Sequence, residues 1–230
     1  CPQPLAALIS HGICMDGVAV NIGQHTATVV PILNGKMQRE AIVSKDGLGG
    51  SFLTQRLLDL LISRGEGVTR EMMTWSRDLK ERHCRVSFER LDGLNSEVIG
   101  HLEPAVWVRN GPLSFELDAE RYMVPEAFFR PGPCNLPTLI VSALAKALPT
   151  RARRAERQWL LSRLLAAVVI VGGTAEIPGL HARLQWELKE AVEHEFRDCF
   201  PDPLQKKEEE EEGFACSKSN NNRSNNSNSS

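Results

Sequence analysis

Apolar and β-branched residues run in two extended stretches on either side of a glycine turn near the start of the chain, and this pattern predicts a β-hairpin. Residues 18–21 (VAVN) and 26–33 (TATVVPIL) read as strands around the turn Asn21-Ile22-Gly23-Gln24-His25. Asn34-Gly35 supplies a second turn before a short third strand over residues 41–43. The preceding PLAALISHG reads as the end of a helix stopped by Gly12. The pattern then changes. Phe52, Leu53, Leu57, Leu58, Leu60, Leu61 and Ile62 recur at helical spacing, with Gly47, Gly49 and Gly50 as a flexible approach, Ser51 as the expected N-cap and Gly65 as the stop. A second helix is predicted over residues 69–83. Residues 86–115 are extended and turn-rich, with turn signals at Asp92-Gly93 and Asn110-Gly111. The aromatic segment ERYMVPEAFFRPG, residues 120–132, leads to a helix over residues 136–148. QWLLSRLLAA precedes an unbroken apolar strand ending in Gly172-Gly173, and PGLHARLQWELKEAVEHEF reads as the last helix, with Pro178 near its first turn. Strand and helix alternate without an internal repeat, so the fold class is α/β.

With 230 residues, 42% of them hydrophobic, the chain is long enough for one large domain or two small lobes around a sizeable core. From residue 201 onward the composition changes: KKEEEEEG is followed by an Asn/Ser run that offers almost no apolar burial, so residues 201–230 are expected to be a disordered tail. Removing that tail's four basic and six acidic residues leaves 23 of each sign in the body. Such a balance gives no general affinity for nucleic acid or an anionic membrane. No apolar run approaches the roughly 18 residues needed to span a bilayer, and no signal peptide opens the chain. The six cysteines show no C-x-x-C spacing, which argues against a disulfide framework or a zinc site and for a reducing compartment. A cytoplasmic or nuclear location follows by default.

Three features carry candidate chemistry. The hairpin turn around Gly23 is either a plain sheet edge or a loop wrapped around phosphate, with His25 as a phosphate donor or an exposed turn residue. Gly172-Gly173-Thr174, between a buried strand and a helix, lets a ligand approach the backbone beside free N–H groups, or is a tight strand-to-helix turn. Arg77, Lys80 and Glu81 share one helix face and either clamp a nucleobase and ribose or form a solvated ion-pair face. The arginines at 151, 153, 154 and 157 read best as solvated, with an acidic partner as the alternative.

The order of these features resembles a family. QPLAALISHG, GVAVNIGQHTATVVPI, LGGSFLTQRLLDLL, SRDLKERHCRV, ERYMVPEAFFRPG and VVIVGGTAEIPGLHARLQWELK, together covering residues 3 to about 189, are similar to actin and the actin-related proteins, in the family's order and spacing. VPEAFFRP and GGTAEIPGL are the most specific. VNIG, with VVPILNGKM after it, looks most like the divergent actin-related proteins of plants and algae that can carry an F-box, although no F-box is visible here. The resemblance implies an actin-like, ribonuclease-H-like α/β lobe (residues 3–46 and 129–200) with an inserted smaller lobe (residues 47–128), in a truncated chain holding the C-terminal half. It implies that Gly23, Gln24, His25 and Thr26 form a phosphate hairpin and that Gly50 lines the nucleotide cleft. Arg77, Lys80 and Glu81 then surround the adenosine, and Gly172, Gly173 and Thr174 form the floor under base and sugar. Gln3 aligns with the family's water-positioning glutamine.

The departures from the family set the functional expectation. Where actins carry Asp-Ser-Gly-Asp-Gly, this chain has Asn21-Ile22-Gly23-Gln24-His25. Asn21 keeps the shape of the cation-holding aspartate without its charge, Gln24 removes a second carboxylate, and Glu176 and Ile177 replace residues that stack near adenine. With the other phosphate hairpin missing, the expectation is no catalytic residue, no metal ligand, ATP or ADP bound weakly at best, and Mg doubtful. The implied role is a non-filamentous scaffold or regulatory subunit with protein partners and vestigial nucleotide binding. A working actin-like cytoskeletal ATPase, or a subunit of a nuclear chromatin-remodelling assembly, is the alternative.

Overall fold

A computed structural model describes residues 3–12, 15–65, 67–91, 104–130, 132 and 135–200. Its centre is a five-stranded sheet. Strand β1 (Gly17–Ile22) pairs antiparallel with β2 (Thr26–Leu33) and parallel with β7 (Val168–Val171); β3 (Lys36–Met37) and β4 (Val43–Asp46) extend the sheet beyond β2. The predicted turn at Asn34-Gly35 has positive φ at both residues (53° and 70°), the geometry that lets a two-residue connection follow the twist of its strands.

Alternation decides which side chains face which layer. Val18, Val20, Ile22, Ala27 and Val29 join the larger core, whereas Ala19, Val30, Ile32 and Val169 meet Leu8 of helix α1 (Gln3–Ser10) on the opposite face. β1 is buried along nearly its whole length because strands flank it on both sides and helices cover both faces.

The larger core is continuous from that sheet into the helices that follow. It takes in Leu53, Leu57, Leu58 and Leu61 of α2 (Gly50–Ser63) and Leu79 of α3 (Met73–His83). It also includes Val108 and Phe115 of the separate hairpin β5 (Val106–Asn110) and β6 (Leu113–Leu117). The aromatic segment coils into a short helix α4 (Glu120–Met123) and the 3-10 turn Pro125–Phe128, with Phe128 fully buried. Helix α5 (Leu136–Ala147) starts where the Asn135 side chain accepts from Thr138 N at 2.8 Å. Helix α6 (Arg154–Leu165) leads into β7, and α7 (Leu180–Glu195) closes the fold.

Four local expectations change. Residues 39–41 form a 3-10 turn, and the next strand is Val43–Asp46, paired with β2. Residues 70–72 are likewise a 3-10 turn ahead of α3. Ser51 does not cap α2: Gly49 holds the N-cap position, and the Ser51 hydroxyl donates to Gln24 O at 2.7 Å. The last helix starts at Leu180 rather than at Pro178, because Gly179, in the left-handed region at φ 86°, is the N-cap. A Cβ on Gly179 would lie 2.3 Å from Val86 O. The Asp92-Gly93 turn and the tail over residues 201–230 lie outside the described residues.

A buried ionic knot ties α7 to the chain that follows α3. Arg183 is fully buried and donates to Glu187 Oε1 (2.8 Å), Glu126 Oε1 (2.8 Å), Ser87 O (2.9 Å) and Glu89 O (2.6 Å). Arg90 grips the same Glu187 from outside at 3.0 and 2.6 Å. Burial pushes the Glu126 carboxyl above its ordinary value, against the pull of Arg183. Burial also acts upward on Glu187, but hydrogen bonds from Arg90 and Arg183 outweigh it and hold that carboxyl below its ordinary value.

Candidate functional site: a cleft at the carboxyl ends of β1 and β7

Because β1 and β7 run parallel, Gly23 and Gly172 leave the sheet at the same end, outside the carboxyl ends of adjacent strands, where open α/β sheets place their ligands. Gly172 has φ 104°, and a Cβ there would lie 2.4 Å from Ile22 O and 2.6 Å from Asn21 Oδ1. Only glycine lets the chain turn so close to the hairpin. The Thr174 hydroxyl then donates back to Gly23 O at 2.8 Å.

The hairpin tip is stitched to the start of α2. Gly50 N donates to Gly23 O (3.0 Å), Ser51 N to Gln24 O (2.7 Å), and Gly47 N to His25 O (2.9 Å). The first N–H groups of α2 are therefore engaged by hairpin carbonyls rather than free for an anion. Around Gly50 three polar groups converge: a Cβ there would meet Thr174 Oγ1 at 2.8 Å, Gln24 Oε1 at 2.9 Å and Lys80 Nζ at 3.2 Å. A side chain at position 50 would fill the inner end of the cleft.

That cleft encloses about 520 Å3 and is lined by Gln24, Arg77, Lys80, Glu81, Gly173, Thr174, Glu176 and Ile177. Lys80 is buried, yet its ammonium has one hydrogen-bond acceptor among the described residues, Gly50 O at 3.0 Å, for three donors. Burial is the main influence on it and draws its pKa below the ordinary lysine value; Glu81 and Cys84 oppose this and Arg77 adds to it. At the mouth Arg77 donates to Glu81 Oε1 at 3.1 Å, both side chains being more than half exposed. The arrangement offers two cations, a hydroxyl, an amide and an apolar side chain, Ile177, around a space suited to a small polar ligand.

The structure gathers most of the residues singled out in the sequence, but not all. Gln24, Arg77, Lys80, Glu81, Gly173 and Thr174 line the cleft, and Gly23 and Gly50 back it. Gly172 shapes the turn from behind. His25 instead faces the Ser51 hydroxyl (Nδ1 at 3.1 Å), and Thr26 Oγ1 donates to Asp46 Oδ1 at 2.9 Å within the β2–β4 pair. Neither lines the cleft: His25 is turned to α2 and Thr26 to β4. Glu176 and Ile177 do line it. The resemblance had set both positions near adenine, one residue on from Gly-Gly-Thr, although nothing in their residue types marks them. Among the described residues no group of three or more His, Cys, Asp or Glu comes together to hold a metal ion. No helix among them is long and apolar enough to cross a membrane.

Fold and cleft together define an α/β protein with a crevice framed by a glycine hairpin and a Gly-Gly turn. The actin family model matches residues 10–209, and the chain belongs to the actin family. It is 28% identical over 179 residues to actin-related protein 8 of Arabidopsis thaliana, covering 76% of this chain and 36% of that protein. To actin-related protein 2 of Saccharomyces cerevisiae it is 28% identical over 190 residues, 82% of this chain and 47% of the relative. To actin-like protein 7A of Homo sapiens it is 29% identical over 186 residues, with shares of 78% and 40%. The chain thus spans between about a third and a half of the length of these relatives.

Proposed function

We propose that this chain is a non-hydrolysing actin-related protein, a scaffold or regulatory subunit with protein partners, whose cleft keeps a weak hold on an adenine nucleotide. The observation that carries this reading is the unequal state of the two ends of the cleft. At the hairpin end Asn21 and Gln24 provide amides where a hydrated cation needs carboxylates, and the tip's carbonyls are turned to α2. At the α3 end the Lys80 ammonium and the Arg77–Glu81 pair face open space beside Gly173 and Ile177.

The residues present fit the nucleoside side of such a ligand and do not fit a metal held by the protein. A bound nucleotide would set its ribose hydroxyls beside Lys80, whose two unpaired donors suit them. Nothing on the hairpin would orient an attacking water or support Mg at a triphosphate, and phosphoryl transfer depends on that positioning and charge stabilisation.

Calorimetric titration with ATP, with and without Mg, beside a phosphate-release assay tests both parts. Weak binding insensitive to Mg, with no sustained release of phosphate, is the expected outcome. Sustained turnover that disappears in Asn21→Ala would overturn it in favour of a working ATPase.

A further inference from the structure

Helix α6 begins with charges of the wrong sign for that end, and no feature of the proposed function uses them. Arg153 is its N-cap, Arg154 its first residue, and Arg157 follows a turn on, where the positive end of the helix dipole favours carboxylates. Glu156 is the one acidic side chain in that first turn. From Arg151 to Arg157 four arginines stand against one glutamate, a net charge of +3, in a body whose charges balance overall. Arg151 and Arg153 are exposed, and neither side chain has a hydrogen bond or ion pair among the described residues. The other two reach residues just ahead of position 201: Arg157 donates to Asp198 Oδ2 at 2.7 Å, and Arg154 Nη2 donates to Phe200 O at 2.8 Å. The chain therefore passes residue 200 beside this patch.

We propose that the glutamate run Glu208–Glu212 lies along the start of α6 and pairs with Arg151, Arg153, Arg154 and Arg157, closing the patch to other acidic chains. Residues 206–212 hold five glutamates and two lysines, a net charge of −3 that matches the patch. Glu208 is eight residues beyond Phe200, a tether of at most about 28 Å from a carbonyl already bonded to Arg154. So short a tether holds the run at a local concentration on the order of millimolar, ahead of a free acidic chain at ordinary concentrations. Exposed ion pairs contribute little one at a time, so the number of pairs and the tether together favour the contact. Pairing of this kind needs no apolar burial, of which the composition of residues 201–230 offers little. It is also open to screening, since exposed charges lose their attraction over about 8 Å at physiological salt.

Arginine-selective labelling with phenylglyoxal, resolved by mass spectrometry on the 230-residue chain, tests this. The comparison is with a variant combining Glu208→Gln, Glu209→Gln, Glu210→Gln, Glu211→Gln and Glu212→Gln. At low salt Arg151 and Arg153 should react several-fold more slowly in the parent chain, and at about 0.5 M salt the two chains should react alike. Arg109, exposed on the separate hairpin, should react equally in both. Added poly-glutamate should slow Arg151 and Arg153 in the variant and leave the parent unchanged. Should the variant fail to fold, the parent chain decides: labelling of Arg151 and Arg153 should speed up with salt while that of Arg109 holds. Equal rates at low salt mean a solvated patch and overturn the proposal. So does slowing that fades as the protein is diluted, which assigns the glutamates to a second copy, or slowing shared by Arg109, which is a general effect of net charge.

Discussion

Arg183 and Lys80 are both buried cations on helices, α7 and α3, and they are held in opposite ways. Arg183 meets two carboxylates and two carbonyls, and its guanidinium also lies over the Phe129 ring, 5.0 Å from its centroid. Lys80 meets one carbonyl. A buried charge with every nitrogen matched is a structural joint; one left with unmatched donors beside a cavity is prepared for a ligand or sits at a standing cost. The knot also bears on the cleft. It fastens the chain after α3 to α7, and Val86 N adds a bond to Pro178 O at 2.8 Å, so α3 and the turn that carries Glu176 and Ile177 are tied together outside the cleft.

Breaking the knot should have the largest effect. Arg183→Met removes the cation and leaves Glu126 buried with Leu91 N, at 3.4 Å, as its remaining hydrogen bond among those described, while Glu187 keeps Arg90. Loss of one partner from a buried pair costs roughly 3–5 kcal/mol. Chemical denaturation should show a loss of that order, and adding Glu126→Gln to Arg183→Met should recover part of it. An unchanged midpoint in Arg183→Met would dissolve the distinction between the two cations.

This knot also shows where the sequence was readable. The hairpin, α2, α3, α5 and the β7-to-α7 turn were legible because each is set by spacing within a dozen or so residues: alternating valines, a leucine face, two adjacent glycines. β4 was not, since VSKD has one apolar residue and becomes a strand only by pairing with β2. The knot was invisible for a stronger reason. Arg183 finds Glu126, Ser87 and Glu89 at separations of 57, 96 and 94 residues, and nothing local distinguishes it from a surface arginine. Within the cleft the same divide holds: α3 declared Arg77, Lys80 and Glu81 by their shared face, whereas the turning away of His25 and Thr26 depended on α2 and β4 arriving beside them.

A second test uses pH and the neighbour of Lys80. Burial, the main influence, pushes the Cys84 thiol from an ordinary value of 9.0 up to about 12. The folded state therefore holds this proton more tightly than the unfolded state, so the contribution is complete below pH 9 and is lost as pH rises toward 12. By pH 10 the loss should reach about 1.4 kcal/mol. Denaturation midpoints measured from pH 8 to 10 should fall for the parent chain and fall less for Cys84→Ala. Equal slopes would mean that Cys84 does not sit in the dry α3 side of the core.

The smallest change in stability is expected from Lys80→Met, and its smallness is the point. The lysine's one hydrogen bond is set against the desolvation of its ammonium, and Gly50 O keeps a second donor, Thr54 Oγ1 at 2.9 Å, so no buried acceptor is orphaned. The net change should stay within about 1 kcal/mol. The sign with pH is opposite to that of Cys84. A lysine drawn below 10.5 on folding is protonated more readily in the unfolded state, so its charge opposes folding at neutral pH and that opposition is relieved as pH rises toward 10.5. Lys80→Met removes this relief, so its alkaline fall should be steeper than that of the parent chain. Affinity for adenine nucleotide, by contrast, should drop below detection, since the cleft loses its buried cation. A loss of stability matching that of Arg183→Met would show that Lys80 is a second structural joint, and the cleft would lose its strongest claim to a ligand.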